Sequence, residues 1–454
     1  MTAATAGEID ATAPVAVPLV TSRGRLAVLT GVFTYAVSFF AAYQISIVPR
    51  YEYFGMGRRD LPSWVIALLI VVSVAPAALA PVRLVRPSQL LYWAMYLLLY
   101  VPSIFLAFYS NLPRLEIGDA VALDAVLCAA MMMLGLGYRI DPRRILVRRV
   151  APSLMYLLLA SGAVGLYALM LAQFRGQFRW VGFTDVSGQR EVFLASVTGT
   201  FGAYAFAWIV AVVNPVLVAL GGVRRSATLV VAGLAGQVLM YGAAAAKGVL
   251  LTLVVLPVLI LLVNRFQRKF GLTMAVGIAL LVALAPAADL AGFPLIGAGL
   301  TFVVVFRTLA IPGLATTQYA GFFADHPHTL GSHVTGLSSL VDYPYHTTLD
   351  YLVGQFYYGQ VNMGLNASTW ASDGLAAFGL PGVLLATFLC ASLFWLIDSA
   401  ADGLDIQFTV VALAYGIVNF SNVPLFTNLV TGGIALMVLV FTLWPRPTPP
   451  LEAV

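Results

Sequence analysis

The sequence predicts an all-α, polytopic membrane protein, and three observations carry that prediction. Apolar residues make up 61% of the chain and charged residues only 9%. Apolar stretches of about 20 residues, the length that spans a bilayer core, recur along it. The arginines cluster in short segments between those stretches, where they act as topology signals. That placement argues against a nucleic-acid partner, although the net charge is +5 and the pI near 9.2. Cys128 and Cys390 each lie inside an apolar stretch, so they offer neither a disulfide framework nor a CxxC metal site.

Residues 1–24 are rich in Ala, Thr, Val and Pro and lack the basic start of a signal peptide, which reads as a mobile cytoplasmic tail. Residues 25–446 form a single transmembrane domain in this reading, followed by a short tail at 447–454. The predicted spans run roughly 26–48, 63–82, 89–108, 119–138, 152–173, 201–221, 227–246, 248–264, 272–291, 374–397, 406–422 and 427–444, about twelve helices. A cytoplasmic N-terminus puts Arg23, Arg25, Arg83, Arg86, the cluster Arg139, Arg143, Arg144, Arg148 and Arg149, then Arg224, Arg225, Arg265, Arg268 and Lys269 on the inner side, as the positive-inside rule expects. The stretch 295–316 is long enough to cross, but Arg307 sits in its middle and Pro312 and Gly313 follow. It is therefore expected to be re-entrant or interfacial, because a lone arginine in lipid is costly. Loops 174–200 and 316–373 are then extracytoplasmic and Arg446 is inside.

The longer loop concentrates the chemistry. All four histidines, His326, His328, His333 and His346, fall within 316–373, which has no lysine or arginine. Its rings, Tyr319, Phe322, Phe323, Tyr343, Tyr345, Phe356 and Tyr357 among them, suit the C–H faces of sugars, with Tyr319 a candidate binding residue. The structural alternative is an aromatic belt that packs the loop on the membrane interface. His326 and His328 form an HxH pair beside Asp325, but no HExxH helix or carboxylate cluster accompanies them, so no metal is expected. They are instead candidates for holding a phosphate. His333 and Asp342, in mid-loop near glycines or aromatics, are the candidate general bases.

The shorter loop carries Arg175, Arg179 and Arg190, whose forked guanidiniums match phosphate oxygens; pairing with Asp185, Glu191 or lipid headgroups is the structural alternative. Lys247 lies at the turn between two spans, after a run of alanines, and Arg307 lies in the interrupted stretch. A cation at the membrane edge is a functional candidate, with snorkelling as its alternative.

Three patches resemble a known family: Asp185-Val-Ser-Gly-Gln-Arg190-Glu, Lys247-Gly-Val-Leu-Leu, and Phe306-Arg307-Thr-Leu-Ala-Ile-Pro312-Gly313 with the aromatics after it. In these, and in its many spans and long external loop, the chain is similar to the Wzy-like oligosaccharide repeat-unit polymerases of bacteria. The resemblance covers residues 185–400. It implies a glycosyltransferase of the bacterial cytoplasmic membrane, acting at its outer face on donor and acceptor glycans linked to polyprenyl pyrophosphate. It further implies that Arg190, Lys247 and Arg307 grip the diphosphate, that membrane lipid and other polysaccharide-assembly proteins are partners, and that no cofactor is needed. Ser187 and Lys247 depart from the family pattern, which has an aromatic residue and often an arginine there. A flippase for lipid-linked oligosaccharides is the competing reading. A dolichol-type or arabinosyl transferase would carry paired acidic residues in its first external loop, where this chain has only Glu52 and Asp60.

Overall fold

A computed structural model of the chain describes residues 22–143, 150–174, 177–178, 186–197, 201–334, 337–360, 363–365 and 369–446. Among the described residues ten helices are long and apolar enough to cross a membrane, and Ser63–Ala78 and Ile406–Asn422 are shorter apolar helices. The chain is an all-α, multi-pass membrane protein. Among the described residues the only β pairing is an isolated bridge between Met56 and Ser110. Each of the twelve apolar stretches read from the sequence falls on helix. The two loops are more ordered than their composition suggests. Val186–Val197 is a helix within 174–200, and Leu349–Tyr358 is one within 316–373. The helix that enters the longer loop runs on to Asp325.

Polar contacts define two ends of the helical bundle. At the basic end, Arg25 donates to the Ala80 carbonyl and Arg86 bonds Ile140 and Asp141. Trp395 donates to the Asp141 carbonyl, and Arg446 donates to those of Ala400 and Asp402. At the opposite, loop end, Tyr43 donates to Gly57, and Arg50 forms a two-pronged ion pair with Asp289 at 2.8 and 3.0 Å. The segment Pro294–Asp325 begins and finishes at this loop end. Gly297 packs directly on Asp289, Phe306 stacks on Tyr51, and Gly321 lies against Pro113 and Tyr357. By length and composition Pro294–Asp325 is itself one of the ten helices able to cross a membrane, and Arg446 lies at the same end as Arg25.

Prolines set the local geometry of the helices. Four π-helical stretches, Tyr43–Ile47, Met95–Tyr100, Ile209–Val213 and Thr301–Ala310, are each followed at the second position by a proline: Pro49, Pro102, Pro215 and Pro312. A proline inside a helix has no N–H to donate and its ring strikes the carbonyl of the preceding turn; a widened turn relieves that clash. The carbonyl left without its donor is then claimed by a side chain. Tyr35 donates to Leu97 at 2.5 Å and Gln237 to Val210 at 3.0 Å, each five positions before the proline. Pro76 acts likewise, and Tyr100 donates to Val72 at 2.6 Å. These bonds tie neighbouring helices together where water cannot reach.

The helix Trp370–Ala401 kinks at Phe378 and Gly379, with Pro381 just beyond. The kink exposes the Ala376 and Ala377 carbonyls, which accept from Thr329 and Leu330 at 2.8 and 3.2 Å. The sequence thereby anchors the long loop to the end of a long apolar helix. Gly379 has φ +66 and ψ −147, a conformation that a side chain strains. Gly379→Val should lower stability by about 1–3 kcal/mol, read as a drop in the thermal unfolding midpoint. An unchanged midpoint would mean that the helix straightens freely and that the kink carries no anchoring role.

Candidate functional site

The candidate site lies at the loop end, where three elements bring together Arg190, Lys247 and Arg307. Arg190 stands on the helix Val186–Val197 rather than in irregular loop. Its neighbour Gln189 is buried and donates to the carbonyls of Gln177, Gly242 and Ala243 at 2.9, 3.2 and 2.9 Å. Gly242 and Ala243 belong to the last turn of Ala227–Ala244, where carbonyls have no partner within the helix. Gln189 therefore docks one helix on the end of another and sets Arg190 beside the turn that holds Lys247. Ala245 makes that turn with φ 49, and Lys247 opens the next helix. Arg307 lies in the ten-residue π-helical stretch that Pro312 imposes.

The three cations share one electrostatic neighbourhood. The charges of Arg307 and Arg190 both act on Lys247, and that of Arg190 acts on Arg307. All three side chains are exposed, and among the described residues no carboxylate forms an ion pair with any of them. The contrast with Arg50, which Asp289 neutralises, is direct. Like charges gathered without a counter-charge repel, so the arrangement favours an anion between them. The Lys247 ammonium also lies 5.9 Å from the centre of the Phe302 ring, a geometry that steadies it by cation–π attraction.

A second constellation forms where the loop after Asp325 meets the helix Trp370–Ala401. His333 Nδ1 is 2.7 Å from the Thr329 hydroxyl, and Nε2 faces Asp373 Oδ1 at 3.6 Å. Both side chains are almost wholly buried, and Nε2 has no hydrogen bond. The other Asp373 oxygen accepts from the Leu425 amide at 2.6 Å. A link between the two groups runs along Ile406–Asn422. Gly248, beside Lys247, packs on Val418, and the chain leaving that helix delivers Leu425 to Asp373.

The remaining predicted positions are dispersed. His326 stacks on Phe322 at 4.0 Å and its Nδ1 meets the Phe322 carbonyl at 2.8 Å, so it packs the loop. His328 lies against Gly379 at the kink. Tyr319 is 1% exposed within Ile311–Asp325 and meets Phe323, which leaves it no open face for a sugar. Asp342 is exposed. Arg175 and Arg179 lie outside the described residues. Among the described residues no three His, Cys, Asp or Glu side chains are grouped to hold a metal.

Sequence reasoning missed Gln189, Asp373 and Phe302. Gln189 sits inside the quoted arginine patch but reads as an ordinary surface amide; only the uncapped carbonyls of a distant helix give it a role. Asp373 looks like part of a helix start, which it is, since Thr369 and Ser372 cap each other there. No family model, curated protein or solved structure matches this chain.

Proposed function

We propose that the protein is a membrane glycosyltransferase that extends or transfers glycans carried on polyprenyl diphosphate, at the outer face of the cytoplasmic membrane. The observation that carries this reading is the convergence of Arg190, Lys247 and Arg307 from three separate elements, with no carboxylate ion-paired to any of them among the described residues. A diphosphate is the leaving group whose growing charge such a cluster stabilises, and its polyprenyl chain extends into the surrounding lipid.

In the reaction, an acceptor hydroxyl oxygen bonds to the anomeric carbon of the donor as that carbon's bond to the diphosphate breaks. The hydroxyl proton passes to His333, the polyprenyl diphosphate departs with the bonding electrons, and Asp373 stabilises the imidazolium that forms. His333 Nε2 is buried, so the acceptor reaches it only if the bonds that Thr329 and Leu330 donate to the kink open.

Purified protein in detergent, supplied with lipid-linked oligosaccharide, should lengthen the glycan with no membrane present. Failure of folded protein to do so would favour a flippase, which makes no product. Sidedness has its own test. A cysteine at the exposed Ser338 should react with a membrane-impermeant thiol reagent in intact spheroplasts. Labelling only after lysis would place the loop, and the reaction, on the cytoplasmic side.

A further inference from the structure

An aromatic ribbon leaves the cation cluster and ends in an exposed ring. Phe302, beneath Lys247, pairs with Phe306 at 6.2 Å between ring centres. Phe306 lies face to face with Tyr51 at 3.8 Å and 7°, and Tyr51 meets Tyr53 at 6.3 Å. Tyr53 is 77% exposed. A large ring so exposed gains little from packing within the protein, and its backbone is fixed. Gly55 turns the chain at φ 94, Gly57 donates to the Tyr109 carbonyl at 3.0 Å, and Tyr358 donates to the Phe54 carbonyl at 3.2 Å. Tyr53 is therefore a rigidly presented ring, with the exposed side chains of Glu52 and Arg58 close to it in the chain.

We propose that Tyr51 and Tyr53 form the landing face for the sugar rings of the lipid-linked glycan, beside the cations that hold its diphosphate. This rests on the diphosphate reading above. Sugar C–H faces pack on aromatic rings, while the phenol, carboxylate and guanidinium groups around them bond the hydroxyls. The polyprenyl chain is the wrong occupant. Tyr53 lies beyond the Arg50–Asp289 ion pair as the chain leaves its spanning helix, so an isoprenoid there would leave the hydrocarbon. A fixed ring also costs little entropy on binding.

The test compares two ligands of the full-length purified protein: a glycan-free polyprenyl diphosphate and the same lipid carrying its oligosaccharide. Tyr53→Ala, at an exposed position that leaves folding intact, should weaken the glycan-bearing lipid by about ten-fold and leave the glycan-free lipid unchanged. Tyr53→Trp should restore binding. Equal losses on both ligands, or no loss on either, would overturn the assignment and make Tyr53 an interfacial belt residue. Arg307→Gln should weaken both ligands. If it weakens neither, the diphosphate reading fails, while the Tyr53 comparison on the glycan-bearing lipid still judges the landing face.

Discussion

Replacing Arg307 with glutamine should cut the rate of glycan extension by roughly 100- to 1,000-fold, the range for a lost donor to developing negative charge. The protein should still insert, because Arg307 is exposed and has no ion-pair partner among the described residues whose loss would strand a buried charge. Arg190→Gln and Lys247→Gln should behave similarly. Arg307→Lys should keep part of the activity, since lysine retains the charge and loses the two-pronged fork. The measurement is extension of lipid-linked oligosaccharide by purified variants, alongside thermal unfolding to confirm that each is folded. Wild-type rates in all three glutamine variants would remove the cations from the mechanism. A uniform loss of stability would instead make them packing residues.

His333→Ala should lower turnover by roughly 100- to 10,000-fold, as removal of a general base does, with little change in the affinity for a glycan-free polyprenyl diphosphate. Asp373→Asn should reduce turnover in the same direction, because the amide neither stabilises the imidazolium nor orients the ring as the carboxylate does. Asp373 also holds the Leu425 amide, so some loss of stability accompanies that change. Asp342→Ala separates the two candidate bases. Its side chain is exposed and forms no ion pair among the described residues, and its removal should leave turnover near wild type. A large loss in Asp342→Ala with full activity in His333→Ala would reverse the assignment.

Much of the fold was legible because lipid imposes a coarse rule: a spanning segment must be apolar over about 20 residues and must satisfy its own backbone. Pro312 also marked an irregular stretch, and the ten residues Thr301–Ala310 before it are π-helical. What escaped was the detail that prolines write into helices. Pro49, Pro102, Pro215 and Pro312 each follow a π-helical stretch, a regularity visible only once the carbonyls before them are traced.

The site was legible in part, and for uneven reasons. Arg190, Lys247 and Arg307 stood out because charge at a membrane edge is costly, and the structure gathers them into one electrostatic neighbourhood. Tyr319 stood out only as an aromatic in a presumed loop, and helix Ile311–Asp325 buries it instead. His326 and His328 were paired by spacing alone, yet one stacks on Phe322 and the other rests on the kink at Gly379. The Asp373 partner of His333 lies across the loop, and nothing in local spacing joins the two. Tyr51 and Tyr53 gave no signal, because their meaning depends on the ring of Phe306 lying beneath Tyr51.

The central claim is that the three cations hold a diphosphate, and the most direct measurement compares polyprenyl diphosphate with polyprenyl monophosphate as ligands of the purified protein. The account predicts that the diphosphate binds at least about ten-fold more tightly, with the preference abolished in Arg307→Gln and weakened by raised salt. Equal affinity for the two lipids in the wild-type protein, or a preference that survives loss of Arg190, Lys247 and Arg307 together, would contradict it.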